Sequence, residues 1–188
     1  DGSLVYHVTS GDPVHDADGK FRGYRGIGKN ISDQIRAQER IERLATVDAL
    51  TQLSNRQTFD ERAGRLLATS YAEGKRCALL FIDLDNFRLL NNGYGHRVGD
   101  EMLAIVASRM RDIVGEPHLL GRRGGDELVV LLVDLQRPDA AVEVARKLID
   151  AICEPARILG MEIAVTASVG ISFFPQDGID LDSLLNAA

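Results

Sequence analysis

The spacing of apolar residues changes along the chain, and the changes divide it into segments. Over residues 1–30 two strand-like runs, "LVYHVTS" and "KFRGYRGIGKN", are joined by the turn-rich "GDPVHDADG". A two-strand ribbon of this size is marginal alone, which predicts the edge of a larger domain. Asn30-Ile31-Ser32-Asp33 offers helix-capping residues, and the apolar seam then moves to helical spacing: Ile31, Ile35, Gln38, Ile41, then Leu44 or Ala45. Steps of three and four with a polar seam residue predict one of two things: a short coiled coil in register at Gln38, or a solvated amphipathic linker.

From Asp48 onward helical and strand periods alternate. "DALTQLSNRQTF" reads as a capped entry into a helix running through about Tyr71. "CALLFIDLD" reads as a buried strand, "EMLAIVASRMRDIV" as an amphipathic helix, and "HLLGRR" with "ELVVLLVDL" as a hairpin. "DAAVEVARKLIDAI" is a helix, "MEIAVTASVGISFF" a strand pair or one long bent strand, and "DLDSLLNAA" opens a last helix. Strands interleaved with helices around an antiparallel hairpin predict an α+β fold of ferredoxin-like, palm-type architecture, its antiparallel-containing sheet flanked by helices.

Composition narrows the classes. The chain is 45% hydrophobic and 27% charged, with a net charge of −6. That is an ordinary globular balance, and its sign argues against broad binding to a nucleic-acid backbone. Cys77 and Cys153 have no metal-ligand spacing and form no disulfide framework, in keeping with a reducing, cytoplasmic compartment. No apolar run is long enough to span a bilayer, which leaves any membrane anchor to another part of a longer protein. The chain starts at Asp1 and stops inside the helical pattern of "SLLNAA", so it reads as a fragment with neighbours at both ends.

Three stretches carry candidate chemistry. In "FIDLDNF", strand alternation puts Asp83 and Asp85 on one face, two residues apart. Carboxylates closing a buried strand are costly without neutralisation, which a hard divalent cation supplies; strand-end acids also serve as simple caps. In "RRGGDELVV", Gly124-Gly125 permits a positive-φ turn and bares backbone N–H groups. Asp126 and Glu127 project from its tip beside Arg122 and Arg123. If the hairpin adjoins the Asp83 strand, Asp126 shares a cation with Asp83; the alternative is a plain β-turn with solvated charges. In "NNGYGHRVGDE", Asn91 and Asp100 flank a glycine-bearing loop that enters the next helix, and their amide and carboxylate suit the edge of guanine. Asp100 equally stabilises a first helical turn, and His96, a lone loop histidine, reads as structural.

In order and spacing, "DALTQLSNR", "FIDLDNFRLLNNGYGHRVGDEML", "RRGGDEL" and "VTASVGIS" resemble the GGDEF domains, the diguanylate cyclases, over residues 46–188. More briefly, the N-terminal strands resemble the end of a PAS sensor domain, with "GKNIS" where such proteins enter their signalling helix. The resemblances imply PAS-like strands at 1–30, a helical linker at 31–46, and a GGDEF domain at 47–188 that lacks its C-terminal end. They imply metal-dependent condensation of two GTP into cyclic di-GMP and two pyrophosphates, in a homodimer under sensor control. By resemblance, Asp83, Asp126 and the backbone carbonyl of Leu84 ligate Mg²⁺ or Mn²⁺. Asn91 and Asp100 read guanine, Asn86, Phe87 and His96 join them in binding substrate, and the Gly124-Gly125 turn admits the phosphates. Glu127 or Asp126 activates the ribose 3′-hydroxyl. Arg88, where the family usually has lysine, stabilises developing phosphate charge.

The sequence also departs from the family pattern. Leu128 stands for the motif's usual phenylalanine and Asn92 for a common aspartate. The family's product-inhibition site, an arginine and an aspartate three apart, is replaced by Gly115 and His118, which implies absent or weak feedback binding. The family continues past "LLNAA" into a helix whose lysine and arginine clamp the phosphates. A second reading therefore stays open: a non-cyclising GTP-binding module that regulates a following EAL-type cyclic di-GMP phosphodiesterase.

Overall fold

The computed structural model describes residues 5–36 and 46–188. They belong to two units, one within residues 1–45 and one over Thr46–Ala188. In the first, β1 (His7–His15) pairs antiparallel with β2 (Phe21–Asn30). The turn is shorter than the sequence pattern predicts, because "GDPVH" belongs to β1. Asp16 closes it, accepting from the N–H groups of Asp18 at 3.1 Å and Lys20 at 2.9 Å. Pro13 lacks a donor but is tolerated because both strands of a two-stranded ribbon are edges. Tyr24 and Ile27 on β2 are 76% and 80% exposed, so this ribbon contributes no core. Residues 32–36 are helical (α1), and the buried Ser32 hydroxyl accepts from the Tyr6 N–H at 2.9 Å. Of the helical seam, Gln38, Ile41, Leu44 and Ala45 lie outside the described residues.

The second unit runs α2 (Arg56–Ala72), β3 (Cys77–Leu84), α3 (Phe87–Tyr94), α4 (His96–Ile113), β4 (Leu119–Gly124), β5 (Glu127–Leu132), α5 (Asp139–Cys153), β6 (Ala156–Ile158), β7 (Met161–Ile163), β8 (Ala167–Phe174) and α6 (Leu181–Ala187). Four strands form one sheet in the order β4-β5-β3-β8, with every pairing antiparallel. Counted along the chain that order is second, third, first, fourth, the ferredoxin-like arrangement expected from the sequence.

Strand β3 sits inside the sheet because both of its faces are apolar. Ala78, Leu80, Ile82 and Leu84 enter one core with Val98, Met102 and Val106 of α4 and with Leu148 and Ile152 of α5. Cys77 and Leu79 enter a second core with Phe59, Ala63 and Leu67 of α2 and with Leu184 of α6. Each fully buried leucine or isoleucine contributes about 1.5–3 kcal/mol, enough to fix the register and hence the position of the polar residues at the strand end. Helix α2 starts where Asn55 caps it, its side chain accepting from the Thr58 N–H at 2.9 Å.

"MEIAVTASVGISFF" resolves into two strands with different partners. β7 pairs with β6 across a two-residue turn, Leu159-Gly160, with φ of 50° and 82°, while β8 joins the main sheet. Positive φ at both central residues is the backbone that right-twisted hairpins select. Among the described residues no helix is long and apolar enough to cross a membrane.

Candidate active site

The last residues of β3 and the tip of the β4–β5 hairpin meet at one end of the sheet. In the β3–β5 ladder Asp83 lies directly opposite Glu127, a cross-strand pair whose side chains share a face. Asp126 is in the adjoining two-residue loop, between the paired Gly124 and Glu127. Like charges thus converge on Asp83. Burial first, then the carboxylates of Asp126, Glu127 and Asp85, push its pKa up. Neither Asp83, Asp126 nor Glu127 is in an ion pair with Lys, Arg or His among the described residues.

The turn is held from behind. Gly124 and Gly125 have φ of 149° and 52°, backbone that favours glycine over other residues. The Arg122 guanidinium donates twice to the Gly125 carbonyl, at 2.7 and 3.1 Å, and pairs with Asp48 at 3.0 and 3.2 Å. Because a trans peptide points its C=O and N–H in opposite directions, fixing that carbonyl on Arg122 also fixes the direction of the Asp126 N–H. Arg123 pairs with Asp60 of α2. Both arginines beside the tip acids are therefore engaged with other partners, contrary to a simple picture of charges grouped at the tip. Asp48 is in "DALTQL", and the loop it begins is fastened at several points. Its carboxylate accepts from the Thr51 N–H at 2.8 Å and hydroxyl at 2.7 Å, and Arg111 donates to the Thr51 carbonyl at 2.8 Å. Burial works to raise the Asp48 pKa, but the bonds from Thr51 and Arg122 outweigh it, and the net shift is downward.

β3 ends at Leu84, and Asp85 lies beyond it on the face of Asp83, as alternation predicts, bonded to Ser168, which pairs with Asp83 across the β3–β8 ladder. Its oxygens accept from the hydroxyls of Thr166 at 2.6 Å and Ser168 at 2.7 Å, and its N–H donates to the Thr166 carbonyl at 2.8 Å. Those hydroxyl bonds lower its pKa. Asn86 follows in the left-handed region, φ 56°, and leads directly into α3 without a side-chain cap.

The "NNGYGHRVGDE" stretch is helical rather than a loop. Asn91 is inside α3, and the chain breaks only at Gly95, φ 88°, before α4 begins at His96. A single positive-φ residue is enough to fold α3 back on α4, and Gly93 continues the helix. Asn91 lies on the α4-facing side of α3, its side chain against Gly99, with Asp100 next in sequence. His96 is exposed at the start of α4, Arg88 is exposed in the first turn of α3, and Phe87 is buried beneath it. Of the predicted residues, Asp83, Asp126 and Glu127 converge at the sheet end, while Asn91 packs on Gly99 and Asp100 is exposed one residue further along α4. Sequence reasoning missed Asp48 and Gly99 and the partner of Arg122: Asp48 meets Arg122 across 74 positions, and Gly99 meets Asn91 only because α3 folds back on α4.

The donor set suits a hard divalent cation. Asp83 and Asp126 offer carboxylate oxygens where negative charge accumulates without a basic partner among the described residues, and Leu84 is the last residue of β3, next to Asp83. Among the described residues no group of three or more His, Cys, Asp and Glu side chains could hold a metal ion by itself. Mg²⁺ is commonly held by one or two carboxylates and completes its shell with water and substrate phosphates.

At the place of the product-inhibition residues, the half-buried His118 accepts at Nδ1 from the Val133 N–H at 3.2 Å, and burial lowers its pKa.

Comparison with known proteins gives the site a family. The sequence pattern of the family "Diguanylate cyclase, GGDEF domain" matches residues 45–188. MucR of Pseudomonas aeruginosa, a "bifunctional diguanylate cyclase/cyclic di-GMP phosphodiesterase", is 39% identical over 143 residues, 76% of this chain and 21% of that protein. A diguanylate cyclase of Vibrio cholerae is 33% identical over 130 residues, 68% of this chain and 40% of that protein. The crystal structure of a sensory box/GGDEF family protein from Caulobacter crescentus superposes with a TM-score of 0.73 at 34% identity, covering 77% of this chain and 93% of that one. The chain spans 21% and 40% of the two relatives' lengths. Over residues 45–188 the chain belongs to the GGDEF, or diguanylate cyclase, family.

Proposed function

We propose that this chain holds one half of a metal-dependent site that condenses two GTP molecules into cyclic di-GMP, the other half coming from a second copy. The observation that carries the reading is the convergence of Asp83, Asp126 and Glu127, without basic partners among the described residues, beside a glycine turn. In each of two equivalent steps the 3′-oxygen of one GTP bonds to the α-phosphorus of the other. The bond from that phosphorus to the bridging oxygen breaks, and pyrophosphate leaves. The hydroxyl proton passes to Glu127 or Asp126. The carboxylates of Asp83 and Asp126 and the Leu84 carbonyl would hold Mg²⁺ or Mn²⁺, which when bound would stabilise the attacking and leaving oxygens. Gly124 and Gly125 let the triphosphate approach the backbone, and Arg88 offsets charge that develops on it. Asn91 and Asp100 bind the guanine edge, with Asn86, Phe87 and His96 shaping the substrate's surroundings.

In the same reading residues 1–30 are the last strands of a PAS-like sensor, residues 31–46 link it to the catalytic domain, and the domain works in the cytoplasm, where GTP is found. The exposed apolar residues of the β1–β2 ribbon support a missing sheet neighbour. One observation favours a second reading, a GTP-binding module regulating an EAL-type phosphodiesterase: the name of MucR joins both activities in one protein.

The test is incubation with GTP and Mg²⁺ at protein concentrations high enough to dimerise, followed by nucleotide separation, with Asp126→Ala alongside. Cyclic di-GMP from the parent and none from the variant is the expected result. GTP binding without product would transfer the case to the regulatory reading.

A further inference from the structure

We propose that Gly99 is a positioning residue for base recognition: its bare backbone is the seat on which the Asn91 side chain rests, and a side chain there would turn Asn91 away from the substrate. The inference deepens the proposed function and rests on its reading of Asn91 as a guanine-binding residue.

Gly99 is buried near the start of α4. Its φ is not positive, so the backbone at this position does not require glycine. Glycine is also a poorer helix former than alanine. What glycine provides here is space. A Cβ built on Gly99 would overlap Oδ1 of Asn91, stand 2.9 Å from its Cγ, and stand 3.2 Å from Cζ of Phe87. Asn91 and Phe87 are one turn apart on α3, so α3 crosses α4 at this glycine.

The two neighbours differ in their freedom to move. Phe87 is 7% exposed and packed in the core. Asn91 is half-buried and ends in a flexible amide. A methyl group at position 99 therefore displaces the amide selectively, leaving the fold and the neighbouring Asp100 in place. Gly93 is the natural control. It lies in the same helix as Asn91, and a Cβ there would meet nothing within 4 Å.

The experiment compares Gly99→Ala, Asn91→Ala, the double variant and Gly93→Ala. Each is titrated with GTP and with ATP and melted without ligand, and the Asn91 side-chain amide is followed by NMR in the parent, Gly99→Ala and Gly93→Ala. Gly99→Ala should melt no lower than the parent, shift the Asn91 amide resonance, and bind GTP about tenfold more weakly, the equivalent of one lost hydrogen bond. Its discrimination between GTP and ATP should shrink in step. The double variant should bind GTP no worse than Asn91→Ala, because both changes remove the same group. Gly93→Ala should bind as the parent does. Parental GTP affinity in Gly99→Ala, or additive losses in the double variant, would overturn the proposal while leaving the guanine reading of Asn91 intact. Unchanged GTP affinity in Asn91→Ala would overturn that reading and the proposal with it.

Discussion

Replacing Asp48 with asparagine tests whether the glycine turn is held from behind. The carboxylate accepts from the Thr51 N–H and hydroxyl and from Arg122 at 3.0 and 3.2 Å, and the same guanidinium holds the Gly125 carbonyl. Asparagine retains one carbonyl oxygen for Thr51 but turns an NH₂ or a neutral oxygen toward Arg122. Hydrogen bonds to charged groups contribute roughly 1.5–3 kcal/mol and neutral ones about 0.5–1.5, so the loss is about 1–2 kcal/mol. The Arg122 and Asp48 side chains are 14% and 26% exposed, so solvent screens the pair only in part. For a unit of this size that loss lowers Tm by roughly 2–8 °C.

The pH dependence separates this account from a generic packing defect. The folded-state pKa of Asp48 lies below its ordinary value of 3.8. Its contribution is therefore complete above that value and is lost as pH falls through the folded-state pKa. The chain has no tryptophan, so urea unfolding is best followed by far-UV circular dichroism. The stability gap between parent and Asp48→Asn should be constant from pH 7 to 5 and close progressively below about 4. A gap that persists undiminished into acid, or no gap at pH 7, would refute the clamp.

Two further outcomes follow from close contacts and from charge. Gly121→Ala places a Cβ 2.6 Å from Cδ2 and 2.9 Å from Cβ and Cγ of the fully buried Phe59, and such overpacking should cost about 1–3 kcal/mol in urea unfolding. Titration with cyclic di-GMP should give no tight binding at residues 115–118, where Gly115 has no side chain and burial keeps His118 neutral at pH 7; bound product contacting those residues in a crystal or by NMR would contradict this.

Much of the second unit is legible in the sequence because its signals are local. The apolar run of β3, the Asn55 cap, the two-glycine hairpin and the amphipathic α5 each follow from neighbouring residues. What was misread depends on choices that local sequence leaves open. "NGYG" contains two glycines, and only Gly95 takes positive φ, so a helix break was read as a loop. Asp85 keeps the face that alternation predicts, but its hydroxyl partners Thr166 and Ser168 come from a segment about eighty residues away, which local sequence does not reveal. The strand reading ended too early at "GDP" because proline and glycine signal turns, yet a ribbon made only of edges accepts both. The partner of Arg122 and the role of Gly99 are not legible for a plainer reason: Asp48 and Asn91 become their neighbours only once the chain has folded.

Strand order also explains why the two aspartates of "DLD" have separate fates. In the sheet, Asp83 has Glu127 opposite it on one side and Ser168 on the other. Had the hairpin joined the β8 edge instead, β3 would have lacked its acidic neighbour and Asp83 would face no tip carboxylates. Burial first, and then the acids that β5 brings alongside, raise the Asp83 pKa, while the hydroxyls of Thr166 and Ser168 lower that of Asp85. Environments that push neighbouring carboxylates in opposite directions divide their roles. Asp85 is stabilised in its charged form by hydroxyl donors and fastens the end of β3 to β8. Asp83 is left with repulsion that a cation would relieve, so under the proposed function a metal ion would be favoured on the β5 side of the strand, beside the glycine turn.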